Sequence, residues 1–116
     1  MENKKPSEAS IQQSCVVWFR NNYQRKGVDK GLVLSIPNER MGGYKAMAPL
    51  LKTGLLGGAS DLIVLLKGRI LFVEMKDHKG TQSPKQIKFQ SQVENLGYKY
   101  YLVRTLKEFK EIVDCI

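Results

Sequence analysis

The sequence is poor in the residues that many small-protein chemistries depend on. Of its 116 residues only two are Cys and one is His. Cys15 and Cys115 stand near opposite ends, with no partner Cys or His at metal-site spacing, so neither a disulfide scaffold nor a zinc site is expected. Both thiols are expected in the core. No apolar run approaches the roughly 20 residues of a membrane span, and no signal-peptide pattern opens the chain. A soluble, intracellular protein is expected. There is no internal repeat and no low-complexity segment. Acidic residues are few beside basic ones, 11 Asp and Glu against 19 Lys and Arg, for a formal charge of +8. The basic residues run from Lys4 to Lys110 rather than crowding into a tail, which fits a polyanionic partner. The plain alternative is that they serve solubility alone. Charge by itself does not separate DNA from RNA or from an anionic membrane.

What is present is enough for one domain over 1–116, with residues 1–6 expected as a flexible tail. Apolar residues make up 42% of the chain, sufficient for one modest core. Ser7 can cap a helix running to about Tyr23, with Ile11, Cys15, Trp18 and Phe19 on one buried face. Leu32 to Ile36 reads as a strand ending at Pro37. The stretch from Asn38 to Ala59 is irregular and Gly-rich, the kind of long loop that is usually functional or disordered. Leu62 to Leu66 and Ile70 to Met75 are strongly apolar strands joined by a tight turn at Lys67-Gly68. Ser83 caps a helix that has Pro84 in its first position and stops at Gly97. Tyr98 to Val103 is a fourth strand. Thr105 and Glu108 form a capping-box pattern before a last helix whose core face carries Leu106, Phe109, Ile112 and Val113. The order is α-β-β-β-α-β-α.

The hairpin concentrates the chemistry. With a two- or four-residue turn centred on Lys67-Gly68, Leu66 faces Arg69, and counting back along both strands sets Asp61 opposite Glu74. Directly opposed β-residues have Cβ atoms about 5 Å apart, and like charges there are destabilising, so a cation is expected between them. Hard divalent ions such as Mg²⁺ favour oxygen ligands and take one or two carboxylates plus water and phosphate. Strand alternation sets Lys76 on the face of Glu74, with Met75 pointing away. An ammonium placed there can stabilise charge developing at phosphorus or position the attacking water. The alternative is an ordinary surface Glu-Lys pair, worth about 0 to 1 kcal/mol. It fits poorly with strands this apolar, where unpaired charge is expensive.

Ser60-Asp61 followed by Glu74-Met75-Lys76 resembles the PD-(D/E)xK nuclease superfamily, with Ser60 in the place of the motif's proline. The surrounding text adds the loop Thr53-Gly54-Leu55-Leu56-Gly57-Gly58-Ala59, then Ser83-Pro84-Lys85-Gln86 and Gly97-Tyr98. In this order the chain looks like the VRR-NUC family, the viral-type replication-repair nucleases, from about Glu8 to Arg104. The resemblance implies an α/β, restriction-endonuclease-like core, with a mixed four-stranded sheet flanked by helices. It implies Asp61 and Glu74 as ligands of Mg²⁺ or Mn²⁺, the Met75 carbonyl as a further ligand, and Lys76 as the catalytic lysine.

Two further residues match the family's pattern. Gln86 corresponds to a Gln of the family's next helix, which the resemblance implies as a further catalytic residue, and lies on the side that carries Phe89 and Val93. It can equally form a capping box with Ser83. Glu8 corresponds to an acidic residue on the family's first helix that approaches the metal. Alternatively it is a carboxylate favoured by the helix dipole, worth about 0.3 to 1 kcal/mol. His78 is expected as solvated loop. Lys79, Lys85 and Lys88 after the triad, with Arg40, Lys45 and Lys52 in the Gly-rich loop, are candidate phosphate contacts.

The resemblance implies a metal-dependent, structure-selective DNA endonuclease acting in replication or repair, in a bacterial or phage-infected cell. Four-way (Holliday) junctions are the first substrate to try. Resolving a two-fold junction takes two cuts, so a C₂ homodimer is expected. The competing hypothesis is a DNA-binding module that keeps the nuclease fold without catalysis. The intact triad argues against it.

Overall fold

A computed structural model describes residues 5–37, 52, 54 and 56–115. The element order is the expected one. Helix α1 spans Glu8–Phe19, strand β1 Gly31–Ser35, β2 Leu62–Leu66, β3 Arg69–Met75, helix α2 Pro84–Asn95, β4 Lys99–Val103 and α3 Leu106–Asp114. Among the described residues no helix is long and apolar enough to cross a membrane.

Each boundary has a local cause. Ser7 accepts from the Ser10 N–H at 3.1 Å and opens α1. The helix does not run on regularly to Tyr23. It widens into one π turn over Arg20–Gln24 before the chain turns toward β1. Ser83 and Gln86 form a reciprocal capping box at the start of α2, with Pro84 just inside. At α3 the expected box is altered: Thr105 accepts from the Glu108 N–H, but the Glu108 carboxylate reaches back to the Arg104 N–H at 3.1 Å, one residue before the cap.

The sheet order is β1-β2-β3-β4, antiparallel except for the parallel β3–β4 pair. The two strands that carry the motif are thus the inner pair. Leu66 pairs with Arg69 across Lys67-Gly68, and Gly68 has φ of 71°, a conformation side chains rarely adopt. This is the two-residue turn the register argument required. Helices cover both faces. On one, Ile11, Cys15 and Phe19 of α1 and Phe109 and Val113 of α3 pack on Val33, Val64, Leu71, Val73, Met75 and Val103. On the other, Phe89 and Val93 of α2 pack with Tyr100, Ala59 and the half-buried Phe72.

The expectation of two buried thiols is half correct. Cys15 is buried and its thiol is pushed up to about 12 by desolvation, the mark of an unreactive core cysteine. Cys115 is exposed, because α3 ends one residue earlier and the chain leaves the core there.

Candidate active site

The site lies at the open end of the β2–β3 hairpin, opposite the Lys67-Gly68 turn. Leu62 pairs with Val73, so the next step of the register sets Asp61 against Glu74. Asp61 is held from both sides. Its carbonyl accepts from the Ile36 N–H at 2.9 Å, which carries the β1–β2 pairing one residue past its end. Its carboxylate Oδ2 accepts from the Met75 N–H at 2.7 Å, tying the acid to the backbone between Glu74 and Lys76.

The charges here are buried. Asp61 is 4%, Glu74 1% and Lys76 8% exposed, and Ser60 beside them is fully buried. Glu74 and Lys76 leave β3 on the same side, and the Lys76 Nζ lies 3.9 Å from Glu74 Oε2. It also lies 3.7 Å from Oε1 of Glu8, in the first turn of α1. Glu8, Asp61, Glu74 and Lys76 are therefore gathered from three elements. Desolvating an ion costs several kcal/mol unless partners offset it. In ionised form the three carboxylates and one ammonium leave two formal negative charges, which a divalent cation would balance.

The donor set fits a hard cation, namely two carboxylates from adjacent strand positions with room in the coordination shell for water and phosphate oxygen. Among the described residues no three His, Cys, Asp or Glu side chains form a metal cage. Glu8 reaches the site from α1, with its Oε1 beside the Lys76 ammonium.

Other expectations sort as follows. The Oε1 of Gln86 accepts from the Ser83 N–H at 2.8 Å, so its carbonyl oxygen is committed to the helix cap and only its amino group is left to face a substrate. His78 is exposed, as expected, and so are Lys52, Lys79, Lys85 and Lys88. Lys85 sits against the Gly-rich loop: a Cβ on Gly57 would lie 3.4 Å from its Cδ, and one on Gly58 would lie 2.4 Å from its carbonyl oxygen. Gly58, with φ of 84°, is what lets the loop leading to Asp61 touch the first turn of α2. Arg40 and Lys45 lie outside the described residues.

Three residues at the site were not expected. Tyr100 of β4 is buried and, paired by position with Phe72, lies on the Glu74 face of the sheet. Burial first, and then the Glu74 charge, hold that phenol protonated well above its usual range. Gln82 Nε2 donates to the Tyr100 hydroxyl at 3.3 Å and to Gln90 Oε1 at 2.9 Å. Arg104 donates through Nη1 to the carbonyls of Asp77, at 2.6 Å, and Gly80, at 2.8 Å. It thereby fastens a loop whose Gly80 lies against the Lys76 stem, where a Cβ would come within 3.1 Å of Cδ. Inside that loop the Asp77 carboxylate accepts from the N–H groups of Lys79 and Gly80, which hold its carboxyl below the ordinary range. A signal for Tyr100 did exist, since a tyrosine in a buried strand needs a partner for its hydroxyl. The fold that brings Gln82 to it was not available from spacing.

No family model and no curated protein matches the chain. Solved structures do. One described as "VRR_NUC domain" superposes with a TM-score of 0.64 at 21% identity, covering 95% of this chain and 98% of its own. A second, "VRR_NUC domain protein", gives 0.71 at 17% identity, covering 96% of this chain and 88% of its own. The fold of this chain is the VRR_NUC fold over nearly its full length.

Proposed function

We propose that the protein is a divalent-metal-dependent DNA endonuclease that hydrolyses phosphodiester bonds with water as nucleophile. The observation that carries this reading is the buried pair Asp61 and Glu74 on the two inner strands with the Lys76 ammonium beside it. A protein that used these groups only for stability would do as well with apolar side chains of the same volume.

Asp61 and Glu74, with the Met75 carbonyl between Glu74 and Lys76, would hold Mg²⁺ or Mn²⁺. Bound there, the ion would polarise the phosphodiester and lower the pKa of the attacking water. The Met75 N–H fixes one oxygen of Asp61, so the carboxylate meets its ligand already oriented. Lys76 keeps its ammonium within 4 Å of Glu74 and Glu8, close enough to stabilise the negative charge that grows on the phosphate oxygens. Glu8 aligns Lys76. The Gln86 amino group is assigned a substrate contact beside the cleft. Lys79, Lys85, Lys88 and Lys52, with Arg40 and Lys45, supply phosphate contacts, and binding should weaken steeply with salt.

Four-way DNA junctions are the substrate class we favour, cut by a C₂ homodimer that presents two sites. The test incubates purified protein and Mg²⁺ or Mn²⁺ with linear, nicked, flapped and four-way DNA, beside Asp61→Ala and Lys76→Ala. Metal-dependent cutting lost in both variants is the expected result. Salt-dependent DNA binding without cutting would replace this reading with a binding module. Cutting by both variants at the parent rate would end it.

A further inference from the structure

Lys76 stands one residue past the end of β3, yet it is only 8% exposed. A lysine side chain gives up much rotamer freedom when it is fixed, so something must hold its stem. The loop that follows does this. Residues 77–80 double back until Gly80 lies against the Lys76 side chain, where an added Cβ would come within 3.1 Å of Cδ and 3.5 Å of Cβ. The loop is closed from inside by Asp77, whose Oδ1 accepts from the N–H groups of Lys79 at 2.9 Å and Gly80 at 2.6 Å. It is closed from outside by Arg104, whose Nη1 donates to the carbonyls of Asp77 at 2.6 Å and Gly80 at 2.8 Å. One nitrogen, with its two protons, thus pins both ends of the loop. Arg104 is itself anchored. The Val103 carbonyl just before it accepts from the Lys76 N–H at 3.0 Å, and the Arg104 N–H donates to Glu108 Oε2 at 3.1 Å. That last bond is the one that replaces a reciprocal capping box at α3, and anchoring Arg104 gives the replacement a reason.

We infer that Arg104 is a positioning residue for Lys76, acting through the loop and not on the substrate. By pinning residues 77–80 it keeps Gly80 on the lysine stem, and so keeps the ammonium 3.9 Å from Glu74 and 3.7 Å from Glu8. This rests on the catalytic role given to Lys76 above. A guanidinium suits the task, because it stays charged at any working pH and a charged donor makes a stronger bond to a carbonyl than a neutral one. The missing side chain at Gly80 is part of the same device, since any β-carbon there would press on the stem. A reacting group displaced by about 1 Å can cost on the order of 100-fold in rate, which is the effect the clamp prevents.

The experiment is a double-mutant cycle of cutting rates at saturating Mg²⁺ and DNA, on the parent, Arg104→Ala, Lys76→Ala and the two combined, with a thermal melt of each. Arg104→Ala should lower the parent rate by about 10- to 100-fold. In the Lys76→Ala background the same substitution should change the residual rate by no more than about twofold, because its effect passes through the lysine. Competitive labelling with acetic anhydride, read by mass spectrometry without metal or DNA, should find Lys76 more reactive in Arg104→Ala, with the exposed Lys67 and Lys107 unchanged. If Arg104→Ala folds poorly, Gly80→Ala reads the same contact from the loop side. Its methyl presses on the stem and should lower the rate several-fold in the parent but not in the Lys76→Ala background, where the stem is gone; a parent-level rate in Gly80→Ala would overturn the inference in that case. Equal losses in both backgrounds, a folded Arg104→Ala that cuts at the parent rate, or Lys76 labelling that does not rise would each overturn the positioning role while leaving Lys76 its own. Lys76→Ala cutting at the parent rate, or a parent chain that cuts no DNA, would remove the catalytic reading and this inference with it.

Discussion

The two ends of the β2–β3 hairpin use charge in opposite ways. At the turn end, Arg69 is half-buried on the α3 side of the sheet and turns its guanidinium to the last carbonyls of that helix: Nη2 donates to Ile112 at 3.1 Å, and Nη1 to Cys115 at 3.0 Å and Val113 at 3.5 Å. Nearby the Tyr23 hydroxyl bonds the Asp114 carboxylate. Each of these groups satisfies something the fold itself leaves open, the orphan carbonyls of a helix terminus above all. At the other end, Asp61, Glu74 and Lys76 are almost fully buried, and two of the three carry the same sign. Asp61 takes up one strand-end donor, the Met75 N–H, but its second oxygen, Glu74 and Lys76 answer no helix end or strand edge among the described residues. The same two strands thus have one end where charge stabilises the fold and one where the fold carries the cost of charge. The second pattern is what a retained chemical site looks like.

The largest expected effects divide along that line. Lys76→Ala should lower the cutting rate by about 10²- to 10³-fold, the scale on which a single stabiliser of transition-state charge acts. Glu74→Gln should also stop metal-dependent cutting while leaving the thermal midpoint equal to or above that of the parent, since it removes one of two facing like charges, keeps the shape of the side chain and leaves Lys76 its Glu8 partner. Midpoints read beside rates decide the matter. A large fall in stability from Glu74→Gln would make the open end structural after all, and the contrast between the two ends would vanish.

Next in size is Gly58→Ala. The new methyl would sit 2.4 Å from a backbone oxygen of α2, at a φ that side chains avoid. Strain of this kind costs about 1 to 3 kcal/mol. Because the loop leads directly to Asp61, both the urea midpoint and the cutting rate should fall, and a loss in neither would mean that the loop does not need this contact to set Asp61.

Much of this was readable in advance because it is local. Periodicity, caps and a two-residue turn located the seven helices and strands of the described residues, and counting from the turn placed Asp61 against Glu74 without any long-range knowledge. What escaped is non-local. Tyr100 comes to the Glu74 face of the sheet through a parallel pairing with an intervening helix, and Arg104 grips a loop 24 residues earlier at Gly80. Gln86 shows a different limit. One spacing supports both a cap and a substrate contact, and its carbonyl oxygen took the cap. Cys115 was misplaced because hydrophobicity does not report that a helix has already ended.

At the turn end the effects should be smaller and confined to stability. Arg69→Ala leaves three helix-end carbonyls to water and should cost about 1.5 kcal/mol, a typical value for hydrogen bonds to a charged donor at a partly open position. Cutting at saturating metal should be unchanged. A lowered rate at full occupancy would show that the two ends are coupled through the strands.

The smallest effect is a pH dependence at Tyr23. Desolvation, then the hydrogen bond to Asp114, push its phenol up to about 12 from an ordinary 10. The neutral form is the one favoured in the folded chain. Its contribution is therefore fully present below pH 10 and is lost as the pH rises through 12. At this half-exposed position solvent screening should keep the contribution to about 1 kcal/mol or less. Urea midpoints taken at pH 9 and at pH 11.5 should converge more closely in Tyr23→Phe than in the parent, and cutting near neutral pH should be the same in both. A Tyr23→Phe chain that loses as much stability as the parent between those two values would remove the assigned role of the Asp114 bond. A change in cutting would place Tyr23 in the chemistry of the far end, contrary to the division of labour between the two ends of the hairpin.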